Sequence, residues 1–498
     1  MLADRIKKLW QTPCGVCGIF LLILFLLHIF LLDLRLSLPF TDMLAFSLVD
    51  GLNSHQAFGE FNYYQFQYSY ITGHAFLRAL SHLVPDPQTR VHIMYAVQIV
   101  ILLLAVWKML GAHHNGQSRM MYVAAGGLAF ASWLGQGLNL WGGPFYFSFG
   151  VVACLALYAC LLSIQHPSYE KIILFSLAGL FMAATHPFLM IIVSFITAAI
   201  VVTRDKNKIT LALAAWLSAA LYSWLVVVDQ PMPLRETLTP FSLLMAKNFG
   251  PELLYQRFVG LVDFHQNVAT LMLGAVGENF FALSWLIAGV VVLGSFAALW
   301  ALVCNGRQLS PHHRSVFALT LACFVYYMIC PDEPYHISMW PYRFLLFSTP
   351  VALVSLLLSL SSFRATITIP AAALAGLMFV IASYIALVDS EWIAAEANKR
   401  QQELISQILA SNAKNCLMHM PGVDAKPFFM NTVTFFPFLA PELRQKNIYY
   451  VTMWHKQPQH NLKMPQQLIA KYFGQVCVLR AKIDTQKTIT HITVVPYS

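Results

Sequence analysis

The sequence predicts an all-α polytopic transmembrane bundle of about eleven helices, followed by a small C-terminal extracytoplasmic α/β domain. Three observations predict it. The chain of 498 residues is 58% hydrophobic and only 11% charged, with a mean hydropathy of +0.62. Apolar runs of the ~17–25 residues that cross a ~30 Å hydrocarbon layer recur along the first 388 residues. Lys and Arg gather in alternate loops, as the positive-inside rule requires.

Apolar runs between charged breaks place candidate spans near 14–33, 91–110, 120–137, 145–164, 171–185 and 187–203. Further spans fall near 209–228, 282–303, 315–330, 343–361 and 366–388. The runs at 171–185 and 187–203 are short, and also fit one re-entrant pair. The first span follows Arg5, Lys7 and Lys8 as a secretory signal would. Its apolar core is long and no small-residue cleavage site follows, so it reads as a retained signal anchor.

With a cytoplasmic N-terminus, the inner segments and their edges carry twelve basic residues against three acids. Lys171, Arg204, Lys208 and Arg314 are among the twelve. The much longer outer loops hold seven basic and twelve acidic residues before position 389. An odd number of spans then leaves the C-terminus outside. The expectation is an integral protein of a bacterial inner (plasma) membrane, with membrane lipids as its solvent.

The outer face carries the elaborated surface. Residues 1–388 form the membrane domain, with outer loops at 34–90, 229–281 and 331–342, and residues 389–498 form the outer domain. Elaborated loops tend to carry function, so the protein is expected to work from that face. In the first loop, 42–52 reads as a short amphipathic helix. Seven aromatic residues crowd between Phe58 and Tyr70, as an interfacial belt or as a platform for a sugar ring or prenyl chain. The second loop holds helical patches near 241–262 and 266–276. The tail opens with a helical run from Glu391 to Leu409. β-like runs follow at Cys416–Met420, Ile448–Trp454, Val476–Leu479 and Ile489–Val495.

The net charge of +9 is spread over inner loops and tail and forms no nucleic-acid footprint. No P-loop, G-x-S-x-G or H-E-x-x-H motif occurs. Cys14 and Cys17 make a C-x-x-C without a second ligand pair, and read as small helical residues. Cys416 and Cys477 both fall in the exported domain, where an oxidising compartment permits pairing. The sequence leaves that pairing open.

Ionisable groups near the bilayer are expensive, so each is a functional candidate. Asp42 follows Pro39-Phe40-Thr41, where it can cap the 42–52 helix or serve as a general base for an attacking hydroxyl. Asp50 lies two turns later. Trp141-Gly142-Gly143-Pro144 opens the fourth span as a tight turn or a close approach for substrate. His186, in Thr185-His186-Pro187, sits at the turn between two short spans. The richest segment gathers Asp332, Glu333 and His336 ahead of Arg343. An arginine at a membrane border can snorkel to headgroups, or grip a phosphate through its planar fork.

These segments resemble the GT-C superfamily of polytopic glycosyltransferases. The likeness rests on the acid after the first span in PFTDMLAFSLVDG, the aromatic stretch leading to YITGHAFLRAL, the WGGPFYFSFG entry, the ATHPF turn and HISMWPYRFLLFSTP before a late span. It is one of layout over 14–388. The resemblance implies a polyprenyl-phosphate-linked sugar donor and a glycan, lipid or protein acceptor. Arg343 would grip the donor phosphate, with His336, His186, Asp332 and Glu333 lining the substrate site. Asp42 would act as base, with Asp50 as the second catalytic candidate, and one displacement would invert the anomeric carbon. Many members carry a D-x-D- or E-x-D-like pair, whereas Asp42 and Asp50 stand eight apart. No cofactor is therefore assigned, and a divalent metal stays open. The rival readings are an O-antigen polymerase- or ligase-like enzyme, a transporter, and a non-catalytic assembly protein.

Overall fold

The computed structural model describes residues 83–84, 87–110, 147–164, 166–185, 189–228, 250–261 (without 253 and 260), 281–329 (without 307), 339–360, 406, 409–410 and four strands between 416 and 496. Its helices are α1 (Pro87–Met109), α2 (Phe147–Ser163), α3 (Tyr169–Thr185), α4 (Leu189–Val201), α5 (Lys206–Val228), α6 (Phe281–Asn305), α7 (Pro311–Ile329) and α8 (Met339–Leu360). Each coincides with one of the expected spans. The spans near 14–33, 120–137 and 366–388 lie outside the described residues. So does most of the helical run expected from Glu391 to Leu409, of which 406 and 409 are helical.

Among the described residues, two helices are long and apolar enough to cross a membrane, α5 through Lys206–Leu225 and α6 through Ile287–Asn305. Their outward faces carry large apolar side chains at helical spacing. On α5 these are Leu217, Leu221 and Trp224, and on α6 Leu293, Phe296, Trp300 and Val303, with Val303 74% exposed. The α3 face continues the pattern through Ile173, Leu174 and Leu177. Burying a Leu or Phe side chain is worth about 1.5–3 kcal/mol, so water is a poor match for such stripes and hydrocarbon a good one.

Inside, α4 is the central element, packed against α2, α3, α5 and α7. Its Ile192, Val193, Ile196 and Ile200 are fully enclosed. At 13 residues it is only ~20 Å long, shorter than a hydrocarbon layer. The turn into α5 has a local cause. Arg204 takes a left-handed φ of 59°, which ends α4 as a C-terminal cap does. The Asp205 carboxylate then accepts from the backbone N–H of Asn207 at 3.0 Å, capping α5.

Small residues and hydroxyls join the helices. A methyl added at Gly179 of α3 would strike the carbonyl of Ala215 on α5, so only glycine permits that approach. Nearby, Ser218 donates to the Ser176 carbonyl at 2.6 Å. The Tyr158 hydroxyl meets Ser315 at 2.9 Å, tying α2 to α7, and Thr320 bonds Ser355 between α7 and α8. Trp216 Nε1 donates to Ser194 at 3.0 Å across α5 and α4.

The loops expected to be inner come together at one end. His312 Nε2, opening α7, lies 2.6 Å from the Met109 carbonyl that closes α1. Lys208 Nζ, opening α5, donates to the Leu162 carbonyl at the end of α2 at 2.6 Å. Lys171 Nζ donates to the His166 carbonyl at 2.7 Å, and Arg314 Nη2 to that of Leu309 at 3.1 Å. His312 and Lys208 thus meet carbonyls at the C-terminal ends of α1 and α2, where the macrodipole is negative, while Lys171 and Arg314 donate to loop carbonyls just ahead of their own helices. This is the basic end of the bundle.

The strands β1 (Cys416–His419), β2 (Ile448–Val451), β3 (Gln475–Ile483) and β4 (Ile489–Pro496) form one sheet in the order β2-β1-β3-β4. β1 runs parallel to β2 and β3, while β4 returns antiparallel to β3. The register bears on Cys416 and Cys477. Cys416 stands opposite Gln475, and Cys477 opposite Met418. With strands ~4.8 Å apart and ~3.3 Å per residue, the diagonal between the two Cα atoms is about 8 Å. That exceeds the ~7 Å limit for a disulfide without backbone movement. The register therefore argues against the pairing that the sequence left open.

Candidate functional site

The end opposite the basic loops is built where α2 and α4 begin, where α7 ends and where α8 begins. Gly150, in the first turn of α2, abuts Leu189, the first residue of α4, and a Cβ at Gly150 would strike the Leu189 side chain. Phe149 meets Phe181 of α3 edge-on at 6.3 Å. Phe195 of α4 reaches Tyr326 of α7 at 5.1 Å and Phe344 of α8 at 6.0 Å. Tyr326 and Phe344 close the triangle at 5.0 Å, edge to face, a favoured aromatic geometry.

These contacts connect three segments that the sequence singled out. The WGGPFYFSFG entry continues into α2, the ATHPF turn lies between α3 and α4, and WPYRF opens α8. Pro341 falls within the first turn of α8, where a missing N–H costs nothing. Arg343 follows two residues later, its backbone helical and adjacent in sequence to the fully buried Phe344. The α8 N-terminus, the positive end of its dipole, is therefore at this end together with Arg343.

Of the other candidates, Asp42, Asp50, His186, Asp332, Glu333 and His336 lie outside the described residues. The Trp141–Pro144 turn and the aromatic stretch 58–70 also lie outside them. Thr185, which precedes His186, is described. Thr185 is fully buried, with its hydroxyl donating to the Phe181 carbonyl at 2.7 Å.

One residue here was missed by sequence reasoning. Arg257 sits on the helical segment 251–261 of the second long loop, and only 4% of it is exposed. Its backbone carbonyl accepts from the Tyr327 hydroxyl at 3.0 Å. Tyr327 is next to Tyr326, which touches Phe344, the neighbour of Arg343. The sequence counted Arg257 only as one basic residue of an outer loop. Its signal was the apolar setting, LLYQRFVGLV.

Among the described residues, no group of three or more His, Cys, Asp and Glu could hold a metal ion. Comparison of the chain with protein-family models, curated proteins and solved structures finds no match.

Proposed function

We propose that the chain is a membrane glycosyltransferase of the GT-C type, moving a sugar from a polyprenyl-phosphate donor to an acceptor hydroxyl. In this reading eleven helices span a bacterial plasma membrane, the basic end faces the cytoplasm, and residues 389–498 form an α/β domain outside. The observation that carries it is the convergence of the α2 entry, the α3–α4 junction and the start of α8 at the end away from the basic loops.

The chemistry asks for two groups. Asp42 takes the proton of the acceptor hydroxyl as it attacks the anomeric carbon, and the glycosidic bond to the lipid phosphate breaks. The electron pair leaves with the phosphate, whose growing charge is met by Arg343, because a fixed cation aimed at developing charge lowers the barrier. Asp50, His186, His336, Asp332 and Glu333 are the reserve for orienting sugar and acceptor. A single displacement inverts the anomeric configuration.

The test is transfer of labelled sugar by purified full-length protein. Asp42→Asn retains helix capping but removes basicity, and is expected to slow turnover about 10²–10⁴-fold with donor affinity kept. Arg343→Lys keeps the charge and loses the planar fork, so donor affinity and rate fall together. Full transfer by both variants, made in normal amount, would defeat the assignment.

A further inference from the structure

Helix α8 divides near its middle. Pro350 falls inside it, where it offers no N–H to the Leu346 carbonyl and its ring crowds that carbonyl. Sharp helix bends arise at such prolines. The half that follows Pro350 is pinned at the backbone. Thr320 of α7 bonds the Ser355 hydroxyl and reaches the Val351 carbonyl at 3.4 Å. Gly294 of α6 lies so close that a Cβ there would strike the Ala352 carbonyl. These anchors all fall between 351 and 355.

The half that precedes Pro350 meets its neighbours through rings. Phe344 packs on Tyr326 at 5.0 Å and on Phe195 at 6.0 Å. Such ring contacts can slide and tilt, whereas a carbonyl seated against a glycine cannot. Between the halves stands Ser348, only 3% exposed, whose hydroxyl meets no hydrogen-bond partner among the described residues. Hydroxyls on neighbouring helices donate one turn back, as Thr197 does to Val193 and Ser295 to Val291. A buried hydroxyl without an acceptor forfeits its hydration for nothing in return. The turn holding Ser348 and Pro350 thus combines a missing backbone donor with a hydroxyl that a different arrangement would satisfy.

We propose that α8 is a jointed helix: residues 351–360 are its fixed half, and 339–347 swing about the Ser348–Pro350 turn to close the aromatic end on a lipid phosphate. The closed arrangement gives the Ser348 hydroxyl an acceptor, so ligand and joint favour the same state. The inference rests on the proposed function and adds a moving element to it. A bend changing by about 20°, acting through about 15 Å of helix, displaces the start of α8 by about 5 Å.

The experiment measures spin-label distances in full-length protein in nanodiscs of zwitterionic lipid, with and without a sugar-free polyprenyl monophosphate as probe. One label sits on Cys304, an exposed cysteine at the end of α6. The other sits on Met339→Cys at the start of α8, with the remaining cysteines replaced. Cys160 and Cys304, both exposed, form the control pair. The probe is expected to change the 339–304 distance by about 5 Å and to leave the control pair unchanged. Pro350→Ala restores the backbone bond to Leu346, and should reduce the change to about 1 Å or less. A change of full size in Pro350→Ala would overturn the inference. So would a change in both pairs, which marks a rearrangement of the whole bundle. Should Pro350→Ala fail to accumulate, Ser348→Ala decides: a closed population lowered about fivefold, the worth of one hydrogen bond, supports the joint, and an unchanged one overturns it. A probe that binds and moves neither pair overturns the joint alone and leaves the proposed function standing. A probe that does not bind at all removes both.

Discussion

The two ends of the helical bundle treat positive charge in opposite ways. At the basic end, Lys208 and His312 meet carbonyls at helix C-terminal ends, Lys171 and Arg314 donate to loop carbonyls, and those interactions are partly exposed to solvent. At the other end, Arg257 is enclosed on a helix whose tyrosine and phenylalanine face outward. The first arrangement is what folding and orientation need: each side chain engages a backbone carbonyl near a helix end without being fully enclosed. Charge at the basic end engages backbone carbonyls beside the helix ends, whereas at the aromatic end Arg257 is enclosed and its backbone carbonyl is held by Tyr327.

The largest effect expected from this contrast is on transfer. Arg343→Gln should lower it by about 100-fold or more, the cost of removing one donor aimed at developing charge. Arg314→Gln should change it by less than about twofold. Parallel assays of the two variants decide, and equal losses would erase the distinction between the ends.

Next comes packing that is independent of charge. Gly179→Leu drives a side chain into the Ala215 backbone and should destabilise by about 3 kcal/mol or prevent assembly. Gly150→Ala meets only the flexible tip of Leu189, and should cost about 1 kcal/mol or less. Thermal unfolding in detergent separates the two, and equal midpoints would show that the α3–α5 approach is looser than the structure has it.

A smaller effect tests the caps. Lys208→Met removes the bond to the Leu162 carbonyl and should lower stability by about 1 kcal/mol, with transfer unchanged. The smallest is Tyr158→Phe, which loses one interhelical bond to Ser315, typically about 0.6 kcal/mol within a membrane. A transfer defect in either variant would show that the bundle interior couples to the site.

The helices were legible because an apolar run with charged breaks is a long-range signal that needs no partner. Ile196 and Leu217 belong to the same kind of run, yet one is enclosed and the other faces out. Only packing distinguishes them. The ends of α4 and α5 were readable too, since Arg204 and Asp205 act within a few residues of themselves. The strands near Cys416, Ile448, Val476 and Ile489 were visible as β-like runs. Their register was not, because pairing is non-local, and so the 416–477 disulfide stayed open until the sheet placed the two residues diagonally. Arg343 was found because it sits in a dense polar segment at a span border. Arg257 was not: isolated among apolar residues, it gains meaning only when Tyr327 reaches across 70 positions to hold it.

The central claim is that a lipid phosphate docks at the aromatic end and not at the basic one. The most direct measurement is photolabelling of the full-length protein in nanodiscs, with a polyprenyl phosphate carrying a photoreactive group close to its phosphate, followed by peptide mapping. Label is expected on 331–344, competed by unlabelled polyprenyl phosphate. Label confined to 165–171, 204–208 and 304–314, where Lys171, Lys208 and Arg314 already donate to backbone carbonyls, would contradict it.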